Sequence, residues 1–168
     1  MPEDQETVVI GVAADMASSP VLPDGTTLRE VTTDADLHAI AGLETSVWGE
    51  DLSWMGRELI ARRVTDPGAV MFFAVTDDAT GQVVSAAWTI FYPGTDFGYL
   101  AGGSTLAPWR RRGIYRALVA VRAQRAAARG TRYVMVDASS DSAPILRRLG
   151  FRAVTTTTPY VWTPAAPG

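Results

Sequence analysis

The chain contains no cysteine and a single histidine, His38. Disulfides and thiolate-bound metal are thereby excluded, and so is a metal site built from several imidazoles. The chemistry expected is organic, with no metal. Long apolar runs are also missing: arginine, aspartate or glutamate interrupts each hydrophobic segment before it reaches the roughly 20 residues that cross a bilayer, so no membrane partner is expected. The opening stretch, MPEDQETVVIGVAADMASSP, is acidic where a secretory signal would be basic, and a cytoplasmic location is expected from it. Nor is positive charge in excess. The formal net charge of -3 argues against a general polyanion binder, and no nucleic acid is expected as a partner, although arginines gather between Arg110 and Arg132. Two common phosphate motifs are absent as well: there is no GxxxxGK[ST], and no GxGxxG follows a strand.

What is present reads as one globular domain with an N-terminal extension. Residues 1–24 are set apart, with a strand at 7–12 and a linker marked by Pro20, Pro23 and Gly25; the domain proper runs over 25–168. Alternation predicts a strand at 26–31. Thr33 and Asp34 then offer N-caps to a helix that carries Leu37, Ile40, Leu43 and Val47 at helical spacing. A second helix is predicted at 54–64, stopped by Asp66-Pro-Gly68. Strands at 69–76, 82–92 and 97–106, joined by short turns, form an antiparallel meander. A long helix follows at 113–129, closed by Gly130, then a β-branched strand at 133–136, whose link through the helix implies a parallel neighbour. Asp141 or Ser142 caps a short helix that stops at Gly150, and strands at 151–156 and 159–162 close the chain. The order is a mixed, mostly antiparallel α+β sheet with helices on both faces.

The stretch that carries chemistry is YLAGGSTLAPWRRRGIYRA, residues 99–117, where an apolar strand enters an arginine-rich turn and then a helix. A helix N-terminus presents unpaired N–H groups and partial positive charge, so it suits a phosphate. Gly113 permits close approach to the backbone, and the forked donors of Arg110, Arg111, Arg112 and Arg116 suit a diphosphate. Read on its own, the segment is equally a turn with solvated arginines.

Leu106-Ala-Pro-Trp-Arg-Arg-Arg-Gly-Ile-Tyr-Arg-Ala-Leu118 resembles the acetyl-CoA motif of the GCN5-related N-acetyltransferases, in which a hydrophobic-x-Pro step leads to Arg/Gln-x-x-Gly-x-Gly/Ala. Ser142-Ala-Pro-Ile-Leu-Arg-Arg-Leu-Gly-Phe151 resembles that family's short helix ending in Leu-Gly-Phe. The resemblance covers about residues 26–162 and implies the acyl-CoA N-acyltransferase fold, β-α-α-β-β-β-α-β-α-β-β. It further implies an acetyltransferase that uses acetyl-CoA as co-substrate and passes the acetyl group to the amine of a small molecule by direct attack. Residue by residue, the N–H groups of Arg111, Arg112, Gly113, Ile114 and Tyr115 would hold the diphosphate, with Arg112 and Arg116 reaching phosphates. The strand edge at Thr105, Leu106 and Ala107 would pair with pantetheine, Ser139 and Ser142 would meet its far end, and the Leu106 N–H would be the oxyanion donor.

Three positions depart from the family pattern. Tyr115 stands where glycine or alanine is usual, and Ser139 where asparagine is frequent. Leu146 occupies the place of a tyrosine that protonates the leaving thiolate, so Tyr99 or a water is left to substitute. Asp96 and Glu44 are candidate bases for the amine, or else a solvated turn aspartate and an exposed helix glutamate; Asp137 is similarly open. Trp48, Trp54 and Met55 flank the junction of the first two helices and read as an acceptor wall, as core or as a dimer surface. His38 reads as a helix-surface or partly buried residue, not a catalytic one. The apolar C-terminal strands and the extra N-terminal strand leave a homodimer open. The rival reading is a non-catalytic acyl-CoA-binding sensor or regulatory domain, motivated by Leu146.

Overall fold

A computed structural model describes residues 4–160 and Trp162. Seven strands make one sheet, in the spatial order β2-β3-β4-β5-β6-β1-β7: β1 Glu6–Val12, β2 Thr26–Val31, β3 Val70–Asp77, β4 Val83–Phe91, β5 Phe97–Thr105, β6 Tyr133–Ala138 and β7 Arg152–Thr157. Every neighbouring pair is antiparallel except β5 and β6. Among the described residues five α-helices complete the fold: α1 Ala13–Met16, α2 Asp34–Trp48, α3 Trp54–Thr65, α4 Ile114–Ala128 and α5 Ala143–Arg148. The expected α+β sheet with helices on both faces is therefore present.

The two faces follow from strand alternation. On β3, Phe72 packs with Leu37, Ile40 and Leu43 of α2 and Leu59 of α3, while its neighbour Phe73 packs with Ile114, Leu118 and Val121 of α4. Past β4 the core on the α4 side continues under α5, where Leu146 meets Val9, Val136 and Phe151. α2 begins as its sequence predicts: the Thr33 hydroxyl accepts from the Asp36 N–H at 3.2 Å, and Gly49 ends it in the left-handed region.

The N-terminal residues differ most from expectation. β1, expected as part of an appendage, is an inner strand, paired with β6 on one side and β7 on the other. The chain then forms α1, which the sequence did not signal, and crosses the outer face of α4 to reach β2 at the far edge. Gln124 Nε2 of α4 donates to the Ser18 carbonyl at 3.0 Å in this crossing. That cover explains why α4 is buried nearly all round, with Ala117 and Ala120 on its outer side. Of the strand expected at 159–162, Tyr160 forms an isolated bridge and Val161 lies outside the described residues. Among the described residues, no helix is long and apolar enough to cross a membrane, and no three acidic or imidazole side chains gather as a metal site.

Candidate functional site

β5 pairs with β4 along its whole length but with β6 only through Phe97, Gly98 and Tyr99. Beyond Tyr99 the parallel strands part. Gly102 is consequently exposed although it belongs to an inner strand. The bulge at Gly102–Gly103 helps to open the gap, since an extra residue in one strand bends it and increases its twist. Both glycines are required there. Their φ angles are +68° and +103°, and a Cβ at Gly102 would lie 2.6 Å from the Trp88 ring.

The direction of each peptide group decides what faces this gap. The Leu106 N–H donates to the Val84 carbonyl at 2.9 Å, so it is turned toward β4 and is not the oxyanion donor that the sequence suggested. Alternation then turns the Thr105 N–H and C=O to the gap. The Thr105 carbonyl accepts from Arg110 Nε at 2.9 Å. Ala107 falls in a 3₁₀ turn, Ala107–Trp109, that leads away from the strand.

The chain next enters α4 through a turn with two left-handed residues, Arg111 at φ +62° and Gly113 at +87°. No side chain caps the helix start, so the first-turn N–H groups of α4 point outward from this turn. Arg112 lies over the Trp109 ring at 4.8 Å. Arg111, Arg112 and Arg116 line a cavity of about 630 Å³, joined by Arg148 from the end of α5 and walled by residues 18–23 of the N-terminal crossing. Four guanidinium groups on one cavity make an anion site chemically reasonable. Tyr115, at the position expected to be small, packs its ring against Gly103 and turns its hydroxyl toward Ser142. Burial pushes the Tyr115 phenol up, against the opposing effects of the Arg122 charge and Ser142. Ser139 and Ser142 lie together at the start of α5, their hydroxyls 3.2 Å apart.

On the α2 face of β5 the sequence candidates separate. Glu44 is 3% exposed, not a solvated helix glutamate. Its Oε2 accepts from Trp48 Nε1 at 2.8 Å and from Ser104 Oγ at 2.7 Å, while Oε1 is buried with no partner. Such an orphan carboxyl oxygen is expensive to bury unless something comes to meet it. Tyr99 donates to Asp137 Oδ2 at 3.1 Å, and burial together with that carboxylate pushes its phenol up, so Tyr99 is a poor acid. Asp96 is an exposed turn residue whose carbonyl receives the Tyr133 N–H. Leu146 is fully buried, Trp48 and Trp54 are exposed, and Met55 joins the α2–α3 core. His38 is exposed on α2 and lies so close over Gly56 of α3 that no side chain fits there.

Two residues escaped the sequence reading. Ser104 orients Glu44 from 60 residues away, and nothing local marks it. Arg122 is 1% exposed within α4, and its signal was visible: one arginine stands among Leu118, Val119, Val121 and Ala123 in a stretch otherwise apolar.

No protein-family model matches the chain, and no curated protein matches it. Solved structures do match. A GCN5-related N-acetyltransferase from Sphaerobacter thermophilus superposes with a TM-score of 0.75 at 21% identity, covering 94% of this chain and 51% of that one. A tandem GNAT protein from the clavulanic acid biosynthesis pathway gives 0.71 at 17% identity, covering 94% and 54%. A Trypanosoma brucei acetyltransferase gives 0.65 at 21% identity, covering 77% and 94%. This chain thus spans about half the length of the first two.

Proposed function

We propose that this chain, which has the fold of the GCN5-related N-acetyltransferases, moves an acetyl group from acetyl-CoA to the amine of a small molecule. The observation that carries the reading is the gap between β5 and β6, followed along the chain by the uncapped, arginine-lined start of α4. Together these features offer an extended chain an open strand edge and offer a diphosphate a helix N-terminus.

The residues present fit acetyl-CoA as substrate. The first-turn amides from Arg111 to Tyr115 hold the diphosphate, Arg112 and Arg116 add charge, and the Thr105 amide and carbonyl meet the pantetheine arm once the exposed Arg110 side chain yields the carbonyl. Ser139 and Ser142, at the start of α5, meet the far end of pantetheine. Glu44 is the base: its orphan oxygen takes a proton from the amine nitrogen, with Trp48 and Ser104 fixing the other oxygen. The nitrogen bonds to the thioester carbon, the C–S bond breaks, and the sulfur leaves as a thiolate that takes its proton from water. A thiol pKa of about 8.5 makes that departure feasible without the acid that Leu146 cannot supply. The buried Leu146 also favours the second reading, a domain that holds acyl-CoA without turnover.

Thermal unfolding with acetyl-CoA, coenzyme A or ATP tests the proposal. At a hundred times the dissociation constant a ligand stabilises by about 2.7 kcal/mol. Both coenzyme forms should stabilise, ATP should not, and Gly113→Glu should abolish the effect. No shift at saturating ligand rejects acetyl-CoA. Where binding holds, thiol release on adding amines rejects the sensor reading, and the chain's lack of cysteine and lysine keeps that assay free of protein thiols and of lysine self-acetylation.

A further inference from the structure

Arg122 has no role in the chemistry described so far, yet it is a buried cation whose contacts are all carbonyls. Nε donates to Leu118 O at 3.0 Å, and Nη1 donates to Trp88 O at 3.2 Å and Ala101 O at 3.0 Å. Among the described residues no carboxylate pairs with it. Burial lowers its pKa to about 10, which still leaves it charged at neutral pH. Burying a guanidinium without an anion is unfavourable, so the position calls for an explanation.

Trp88 and Ala101 face each other across the β4–β5 pairing and the single Nη1 of Arg122 reaches both of their carbonyls, so the Ala101 carbonyl is turned to the β4 side. A trans peptide directs its C=O and N–H oppositely, and no peptide bond here is cis. The N–H of the same peptide unit, that of Gly102, therefore points to the other side, where β6 has parted from β5 and Gly102 is exposed. A cation on the carbonyl oxygen withdraws electron density and makes that N–H a stronger donor.

We propose that Arg122 is a positioning residue that aims and polarises the Gly102 N–H as the donor to the thioester oxygen. This rests on the acetyl-transfer reading and fills the role from which the Leu106 N–H is withdrawn by Val84. As the amine nitrogen bonds to the thioester carbon, the negative charge on oxygen meets the Gly102 N–H; the electron pair then re-forms the C=O bond as the C–S bond breaks, and the charge leaves on the sulfur as thiolate. Loss of one such donor typically lowers kcat by about 10²- to 10³-fold, and loss of its polarisation alone should lower it on the order of tenfold, with KM for acetyl-CoA unchanged.

The test is amide NMR of the ¹⁵N-labelled protein titrated with coenzyme A and with acetyl-CoA, in wild type, Arg122→Met and Arg122→Lys. In wild type, Gly113 should respond to both ligands, and Gly102 should move further downfield with acetyl-CoA, because only that ligand carries the carbonyl. Arg122→Met should keep the Gly113 response and lose the acetyl-specific shift; Arg122→Lys, which keeps the charge, should restore part of it. An identical Gly102 response to both ligands in wild type, or an acetyl-specific shift that survives Arg122→Met, overturns the inference. If Arg122→Met does not fold, the two-ligand comparison in wild type and in Arg122→Lys still decides. No response at Gly113 to either ligand rejects the acetyl-CoA reading itself, and the inference with it.

Discussion

Glu44 is held at one oxygen and buried without a partner at the other, which makes its charge more consequential than its shape. Glu44→Gln keeps an oxygen for Trp48 and Ser104 but cannot take a proton. Turnover should fall by about 10²- to 10⁴-fold while the urea midpoint changes little, because a neutral amide relieves a buried carboxyl. A rate within threefold of wild type would remove Glu44 from the mechanism. Asp36 gives a second expectation at this scale. The Arg29 guanidinium, helped by Thr33, holds its carboxyl at about 2. An unfolded aspartate titrates near 3.9, so the folded state gains its advantage above that pH and loses it as pH falls from about 4 to 2. The pair lies at the surface, with the Arg29 side chain 43% and the Asp36 side chain 16% exposed, and Asp36→Asn should lower stability at pH 7 by less than about 1 kcal/mol. Urea unfolding at descending pH should bring the two proteins together near pH 2; a constant gap would contradict the assignment. Of these two residues, the sequence exposed only Glu44 as a choice between base and solvated surface. The stripe Leu37, Ile40, Leu43 and Val47 passes beside it, but its burial depends on Ser104, 60 residues away.

α5 shows how an element can keep its expected place while the side chain of interest turns into the core. Its proline start and glycine stop are legible in the sequence, yet its side chain at Leu146 has become core, fully buried against β1, β6 and Phe151. Leu146→Ala should destabilise the fold by about 2–5 kcal/mol in chemical denaturation. Introducing the missing tyrosine by Leu146→Tyr should also destabilise, by about 1–3 kcal/mol, because the packed site has no room for a larger ring. Strands and helices were readable because their periodicities and breakers are local. The Gly102–Gly103 bulge was not: both glycines read as part of a continuous strand, and only the register against β4 shows that one residue is extra.

For the whole molecule, β1 is the decisive strand. It pairs on both edges and places Val9, fully buried, in the core under α4 and α5. Removing residues 1–12 should detach β7 from the sheet, strip one edge of β6 and abolish the cooperative thermal transition, measured by far-UV circular dichroism; a cooperative transition in the truncated protein would show that β1 is an accessory after all. The same crossing that follows β1 walls the arginine-lined cavity, so the N-terminal residues bear on the site as well as on the sheet.

What the sequence by itself determined is local in origin: the kind and order of nearly every element, and the phosphate-suited turn, where Gly113 supplies a left-handed residue just before a helix that nothing caps. The tertiary structure alone decided the rest. It inserted β1 between β6 and β7, parted β5 from β6 beyond Tyr99, turned the Leu106 N–H away from the gap, and brought Glu44 to Ser104 and Arg122 to the Ala101 carbonyl. Those outcomes join residues far apart in the chain. Register, burial and the direction of a peptide group belong to packing, which no short window of sequence contains.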